Sequence, residues 1–136
     1  LKVKFPELVI LDKDALQAEE HYLEGGLTKM LSMDISEEYP ILNVREPRAK
    51  KIAGQKKGRG GLSRFRSPAN DLKIMVWRDS FGPGISKFIS ESFGESIFVS
   101  GYELDWDLIE REKPNIVVQE VVERKLDIYI HGVSYD

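Results

Sequence analysis

The stretch "LKIMVWRDSFGPGISKFISESFG", residues 72–94, restricts the fold more than any other part of the chain. Its first six residues form a short, largely apolar and partly β-branched run, the pattern of a strand buried on both faces. "RDSFGPG" then breaks the run as a turn. Beyond the turn, Ile85, Phe88, Ile89 and Phe93 recur at spacings of three and four, which gives one apolar helix face, and Gly94 is a natural stop. The unit repeats. "SIFVSGY" (96–102) reads as a strand, "DWDLIEREKP" (105–114) as a helix capped by Asp105 with Pro114 beyond its end, and "NIVVQEVV" (115–122) as a further strand. Alternating strands and helices call for right-handed crossovers, so the expected fold class is α/β with a central, mostly parallel sheet covered on both faces.

Upstream the pattern is less regular. "ELVILD" (7–12) is predicted to be a strand, "GLTKML" (26–31) a short helix, and "YPILNV" (39–44) a strand or extended segment. The segment 48–67, "RAKKIAGQKKGRGGLSRFRS", has little apolar periodicity and reads as an exposed basic loop. A connection of about 20 structureless residues is long for a compact domain, which points to a function or to disorder. The charge is local. Residues 45–66 hold nine Lys/Arg against the single Glu46, whereas the net charge of the whole chain is −3.

At 136 residues with 41% hydrophobic side chains, the chain matches one ordinary domain with a real core, so residues 1–136 are expected to form a single unit. No apolar run approaches the roughly 18 residues needed to cross a bilayer, and the start lacks the apolar core of a signal peptide. The first residue is Leu1, not Met, from which a processed form or an N-terminally incomplete domain is expected. The absence of cysteine removes disulfides, thiolate metal sites and cysteine nucleophiles. With only His21 and His131, an imidazole-based zinc site is not expected, and no metal or cofactor is.

In open α/β sheets, ligands bind beyond the carboxyl ends of the strands, where Asp79 and Ser80 stand. A serine there can lift its hydroxyl to the rim of the sheet, and the backbone N–H groups of Ser80 and Phe81 can face the same space as oxyanion donors. The competing reading is a helix cap, since Ser and Asp are among the best capping residues. A nucleophile needs a base and a group to orient it. His21 has Glu19 two residues before it, and on an extended segment the two share a face. A surface Glu-His pair is the commoner explanation of that spacing. His131, in "IYIHGVSYD", is the weaker base by position.

The stretch "KIMVWRDSFGPGISKFISESFGESIFV" followed by "NIVVQEVVERKL" resembles the C-terminal part of the SGNH-hydrolase-like domains of the alginate and exopolysaccharide O-acetyltransferase group. Their hallmark is a strand ending in Arg-Asp-Ser-Phe, a helix, a second strand, and a final strand closing in Glu-Arg and a hydrophobe. "YLEGGLTKML" resembles that group's Gly-Asp-Leu segment, with Gly26 where Asp is usual. The resemblance covers roughly residues 22–127. It implies a three-layer, flavodoxin-like SGNH fold, a periplasmic or extracytoplasmic location, and a polysaccharide together with an acetyl donor, protein or small molecule, as partners. It also implies that Ser80 is the nucleophile of a carbohydrate O-acetyltransferase or acetylesterase working through an acetyl-enzyme. The group carries its Asp and His in an upstream Asp-x-His-Trp motif, for which this chain offers only "EEHY", with Glu19, His21 and Tyr22 in those places. Either the base lies before Leu1 or the triad has been lost.

Other residues extend the reading. Lys56, Lys57 and Arg59 in the basic segment would suit an acidic polysaccharide or another polyanion, and the alternative function is a non-catalytic SGNH-like module that binds one. Nucleic acid is not the expected partner, because Phe65 is the single aromatic there. Arg78 and Tyr102 stand near the strand ends as candidate substrate contacts, with Trp77, Trp106 and Phe81 as aromatic faces for sugar rings, although core packing is the commoner use of such residues. Glu120 and Glu123 close the last strand, where an ion pair with Arg78 or Arg124 is expected.

Overall fold

The computed structural model describes residues 4–24, 36–55, 61–80 and 82–126. The chain separates into two compact units, Leu11–Glu46 on the one hand and Leu1–Ile10 with Pro47–Asp136 on the other.

The smaller unit is a two-stranded antiparallel sheet. Asp12 caps a 3-10 turn at Lys13–Ala15 by accepting from Asp14 N–H at 3.3 Å. From there β1 (Leu16–Glu24) pairs with β2 (Ser36–Val44) in a register running from Leu16 opposite Val44 to Glu24 opposite Ser36. The extended segment expected at 39–44 is the second half of β2. β1 had no comparable signal, because its adjacent Glu19 and Glu20 dilute its apolar alternation. The helix expected at 26–31 lies outside the described residues.

The larger unit holds β3 (Lys50–Gln55), β4 (Leu62–Arg66), β5 (Lys73–Arg78), α1 (Pro83–Ser92), β6 (Glu95–Ser100), α2 (Trp106–Glu112) and β7 (Ile116–Gln119), followed by a 3-10 turn at Glu123–Lys125. The strands lie in the order β3-β4-β6-β5-β7. β5 pairs in parallel with β6 and β7, while β4 is antiparallel to both β6 and β3.

These facts overturn the expected three-layer, mostly parallel SGNH-like fold. The chain is mainly β, with a mixed five-stranded sheet, a separate antiparallel pair and two short α-helices among the described residues. The physical reason is that strand-helix alternation spans only residues 72–119. Upstream of it, neighbouring strands pair antiparallel and need no crossover helix. Two local expectations fail with the fold. Residues 7–12 form no strand; instead Leu8, turned by its N–H on Phe5 O at 3.1 Å, buries its side chain in the core. Of the basic segment 48–67, residues 50–55 and 62–66 are not loop but the strands β3 and β4, paired with a register shift between Lys51 and Ala53. Its charges mask the pattern, since the edge strand β3 keeps Lys50 and Lys51 exposed, as edge strands do to discourage further pairing.

The core sits on both faces of β5 and β6. Ile74, Val76 and Phe98 pack with Leu8, Leu72 and Phe93 on one face, where Ile89 of α1 joins them. Met75, Trp77, Ile97 and Val99 face the other way, against Leu108 and Ile109 of α2. Successive side chains of a strand point to opposite faces, so an unbroken apolar run is what two covered faces require. Trp77 and Phe98, both essentially without exposed surface, each contribute about 2–3 kcal/mol of burial free energy.

Candidate functional site

The site begins where β5 ends. Trp77 is locked into the core, Arg78 is half-buried, Asp79 is buried and Ser80 is exposed. Backbone hydrogen bonds fix this edge from both sides: Glu120 N–H donates to Trp77 O at 2.8 Å, and Gly101 N–H donates to Arg78 O at 3.1 Å. Gly101 has φ +146°, a conformation that glycine tolerates best. Gln119 Nε2 donates to Tyr102 O at 2.5 Å and so ties the loop after β6 to the end of β7.

Ser80 does not cap the helix. The N-cap of α1 is Gly82, no side chain makes a capping bond there, and Pro83 occupies the first helical position. Ile85 and Ser86 N–H groups both donate to Gly82 O. Ser80 Oγ, two residues earlier, has no hydrogen-bond partner among the described residues. The local reading that makes the serine a cap is thereby corrected: its hydroxyl stands exposed at the carboxyl edge of a buried strand.

Beneath the turn lies a charged cluster. Arg78 Nη1 donates to Asp79 O at 3.1 Å, whereas Arg78 Nε and Glu120 Oε2 are shut off from solvent and unpartnered among the described residues. Among the described residues Glu120 and Arg78 form no ion pair, although both reach the same glycine; the alternative partner, Arg124, has a side chain outside the described residues. A Cβ on Gly82 would stand 2.3 Å from Arg78 Cδ and 2.6 Å from Glu120 Oε2. Burial first, and the charge of Asp79 second, push the Glu120 carboxyl above its ordinary range, with Arg78 opposing.

The other sequence candidates divide between the units. Glu19 and His21 lie on β1 of the smaller unit, with His21 Nε2 3.7 Å from Glu19 Oε2 and both side chains about half exposed. Their shared face is the consequence of strand geometry. At the serine edge Arg78 turns its guanidinium onto Asp79 O, and Tyr102 engages Gln119 through its carbonyl. Trp77 is core and offers no face to a sugar; Trp106, 68% exposed at the start of α2, does. Phe81, Lys56, Lys57, Arg59 and His131 lie outside the described residues.

The sequence left two features unread. Gly82 is pressed between Arg78 and Glu120, and no pattern announces that contact. The basic segment's Arg64 is also spent internally. It bonds to Glu95 and, at 2.8 Å, to Glu112, and Lys73 Nζ joins both carboxylates at 3.5 and 3.4 Å. This partly buried cluster clips the end of α2 to the sheet. The bond to Arg64 holds the Glu112 carboxyl below its ordinary range, and the bond to Glu112 raises Arg64. At the opposite edge from Ser80, an open groove of about 490 Å³ is lined by Glu7, Asn70, Asp71, Leu72 and Asn115. Among the described residues no group of three or more His, Asp or Glu could hold a metal ion, and no helix is long and apolar enough to cross a membrane.

Comparison with protein-family profiles finds no matching family, and comparison with curated proteins finds no matching relative. Among solved structures, the chain is similar to a DHHW family protein from Eubacterium siraeum, with 12% identity and a TM-score of 0.56 over 85% of this chain and 50% of that one. It is also similar to Bacillus cereus PatB1 bearing a sulfonyl adduct, with 16% identity and a TM-score of 0.38 over 43% of this chain and 22% of that one. The chain therefore spans half of the first structure and about a fifth of the second. At this identity the first likeness concerns the fold alone, and the second carries no argument.

Proposed function

We propose that the chain serves in carbohydrate O-acetyl transfer or ester hydrolysis, with Ser80 as the nucleophile. The observation that carries the reading is the placement of Ser80: exposed just beyond the carboxyl end of the buried strand β5, two residues before the N-cap of α1, and not consumed as its cap. The resemblance of residues 72–126 to the alginate and exopolysaccharide O-acetyltransferase group supports it, and the exposed ring of Trp106 adds a surface suited to a sugar. In this reading Ser80 Oγ bonds to the acetyl carbon, the leaving group departs with a proton, and a sugar hydroxyl or water then releases the acetyl group. The backbone N–H groups of Ser80 and Phe81 are the candidate oxyanion donors.

The test is acetate release from p-nitrophenyl acetate and from an acetylated uronate oligomer by the longest form of the protein that contains this chain. Ser80→Ala should lower the rate by about 100-fold or more. Equal rates for the parent and Ser80→Ala would refute the nucleophile.

One observation favours a second reading, a module that binds an acidic polysaccharide. Lys50 and Lys51 on the edge strand β3 and Arg66 on its neighbour β4 are exposed, with Lys50 directly opposite Arg66, and none of the three enters an ion pair among the described residues. Like charges left opposite each other cost stability unless something neutralises them. Retention on immobilised alginate that falls steeply with salt, and falls again on neutralising Lys50, Lys51 and Arg66, would support this reading. Retention indifferent to both would remove it.

A further inference from the structure

Two buried polar atoms beside the Ser80 turn lack partners among the described residues: Arg78 Nε, which can only donate, and Glu120 Oε2. Leaving a buried donor or acceptor unsatisfied is costly. Both are held from the backbone side. Glu120 is pinned by its N–H on Trp77 O, one residue past the end of β7, and Arg78 by its Nη1 on Asp79 O. Between them lies Gly82, the N-cap of α1, so close that even a methyl group there would overlap Arg78 Cδ and Glu120 Oε2.

On the reading that Ser80 is the nucleophile, we propose that Glu120 is a positioning residue for it: its carboxyl packs under Gly82 beside Arg78, and the charge it carries sets how the turn holds the serine hydroxyl. Among the described residues, the charged groups that face Glu120 are Asp79 and Arg78, both at the end of β5; Gly82 and Pro83 on the helix side carry none, and neither do its neighbours Gln119, Val121 and Val122. While Glu120 is neutral, the Arg78 guanidinium rests on the Asp79 carbonyl. Once Glu120 ionises, an unpaired carboxylate stands beside Arg78 Nε, and the attraction between them draws the guanidinium off that carbonyl. Gly82 lies against both side chains, so the turn shifts with them. Burial and the Asp79 charge place this ionisation above the ordinary value of 4.5.

The experiment combines an NMR titration with covalent labelling. In the parent protein, the Glu120 carboxyl carbon should titrate with a midpoint above 4.5, and the amide signals of Ser80 and Gly82 should follow the same midpoint. In Glu120→Gln the amide step should vanish. The rate of labelling of Ser80 by a fluorophosphonate should change by roughly tenfold across the step in the parent, since displacements near 1 Å cost up to about 100-fold. Glu120→Gln should keep the parent's low-pH rate throughout. Superimposable pH profiles for parent and Glu120→Gln, or amides that ignore the Glu120 midpoint, would overturn the proposal. A Glu120 midpoint at or below 4.5 in the parent would do so without any variant. The two readings separate cleanly: if Ser80 is not a nucleophile, no labelling occurs in any variant, while the amide titration still decides the linkage between Glu120 and the turn.

Discussion

Substituting Gly82 and Gly84 by alanine, one at a time, should move stability in opposite directions although the two sites are two residues apart. Gly82 has φ −53° and ψ −29°, which any residue adopts, so alanine there would by backbone entropy alone stabilise the fold by about 0.4–1 kcal/mol. Its new methyl, however, would stand 2.3 Å from Arg78 Cδ, 2.5 Å from Arg78 Cβ and 2.6 Å from Glu120 Oε2. Carbon atoms rest at about 3.5–4.0 Å, so a gap of about 1 Å or more has to be opened. The long end of Arg78 can swing away, but its Cβ is fixed to a central strand. Overpacking of this kind costs about 1–3 kcal/mol, which exceeds the entropic gain, and a net loss of about 1 kcal/mol is expected. At Gly84 a Cβ meets nothing within 4 Å, and alanine in the first turn of α1 should gain about 0.5–1 kcal/mol. The two variants thus differ by about 2 kcal/mol, roughly 30-fold in the folding equilibrium. Urea unfolding measures this directly, with midpoints about 1 M apart for slopes typical of small proteins. If Gly82→Ala unfolds at or above the parent midpoint, or if both variants shift the same way, the contact between the turn and the Arg78–Glu120 cluster is wrong.

Two further outcomes test the frame around the site. Glu91 on α1 is 1% exposed and accepts from the N–H groups of Arg48 and Ala49 at 3.1 and 2.8 Å and from Arg48 Nε at 3.4 Å; Glu91→Ala should cost about 3 kcal/mol in urea unfolding, and a loss under about 1 kcal/mol would deny that this carboxylate anchors the start of β3. Glu112 is held below its ordinary 4.5 by Arg64, so it adds stability that is present above pH 4.5 and lost as pH falls through its folded value. The gap between parent and Glu112→Gln, about 1 kcal/mol at pH 7, should close in acid, and a gap unchanged from pH 7 to about pH 3 would contradict the clip. Glu120, raised instead, has the opposite sign: its contribution is complete below 4.5 and is lost as pH rises through its folded value.

The position of the serine was legible because it depends on local physics. An apolar run, a Gly-Pro break and an apolar helix stripe can each be read from a dozen residues, and the structure has a strand at Lys73–Arg78 and a helix at Pro83–Ser92 where those patterns stand. The cap of α2 was equally plain. Asp105 accepts from Leu108 N–H at 2.9 Å, and Lys113, in the left-handed conformation at φ 49°, ends the helix before Pro114. The sequence alone thus determined the second-half elements, their order and the carboxyl edge on which Asp79 and Ser80 stand.

Tertiary structure decided the rest, because strand pairing joins residues far apart in the chain and leaves little trace in local composition. β4 reads as basic loop until it lies between β3 and β6, where Arg64 finds Glu95 and Glu112, residues 31 and 48 positions away. Antiparallel pairing of β3 with β4 and of β4 with β6 turned an expected parallel α/β sheet into a mixed one. It also took three-dimensional contact to bring Glu120 against Gly82 and Arg78. Burial and the Asp79 charge then raise the Glu120 carboxyl, and neither can be read from the order of the residues.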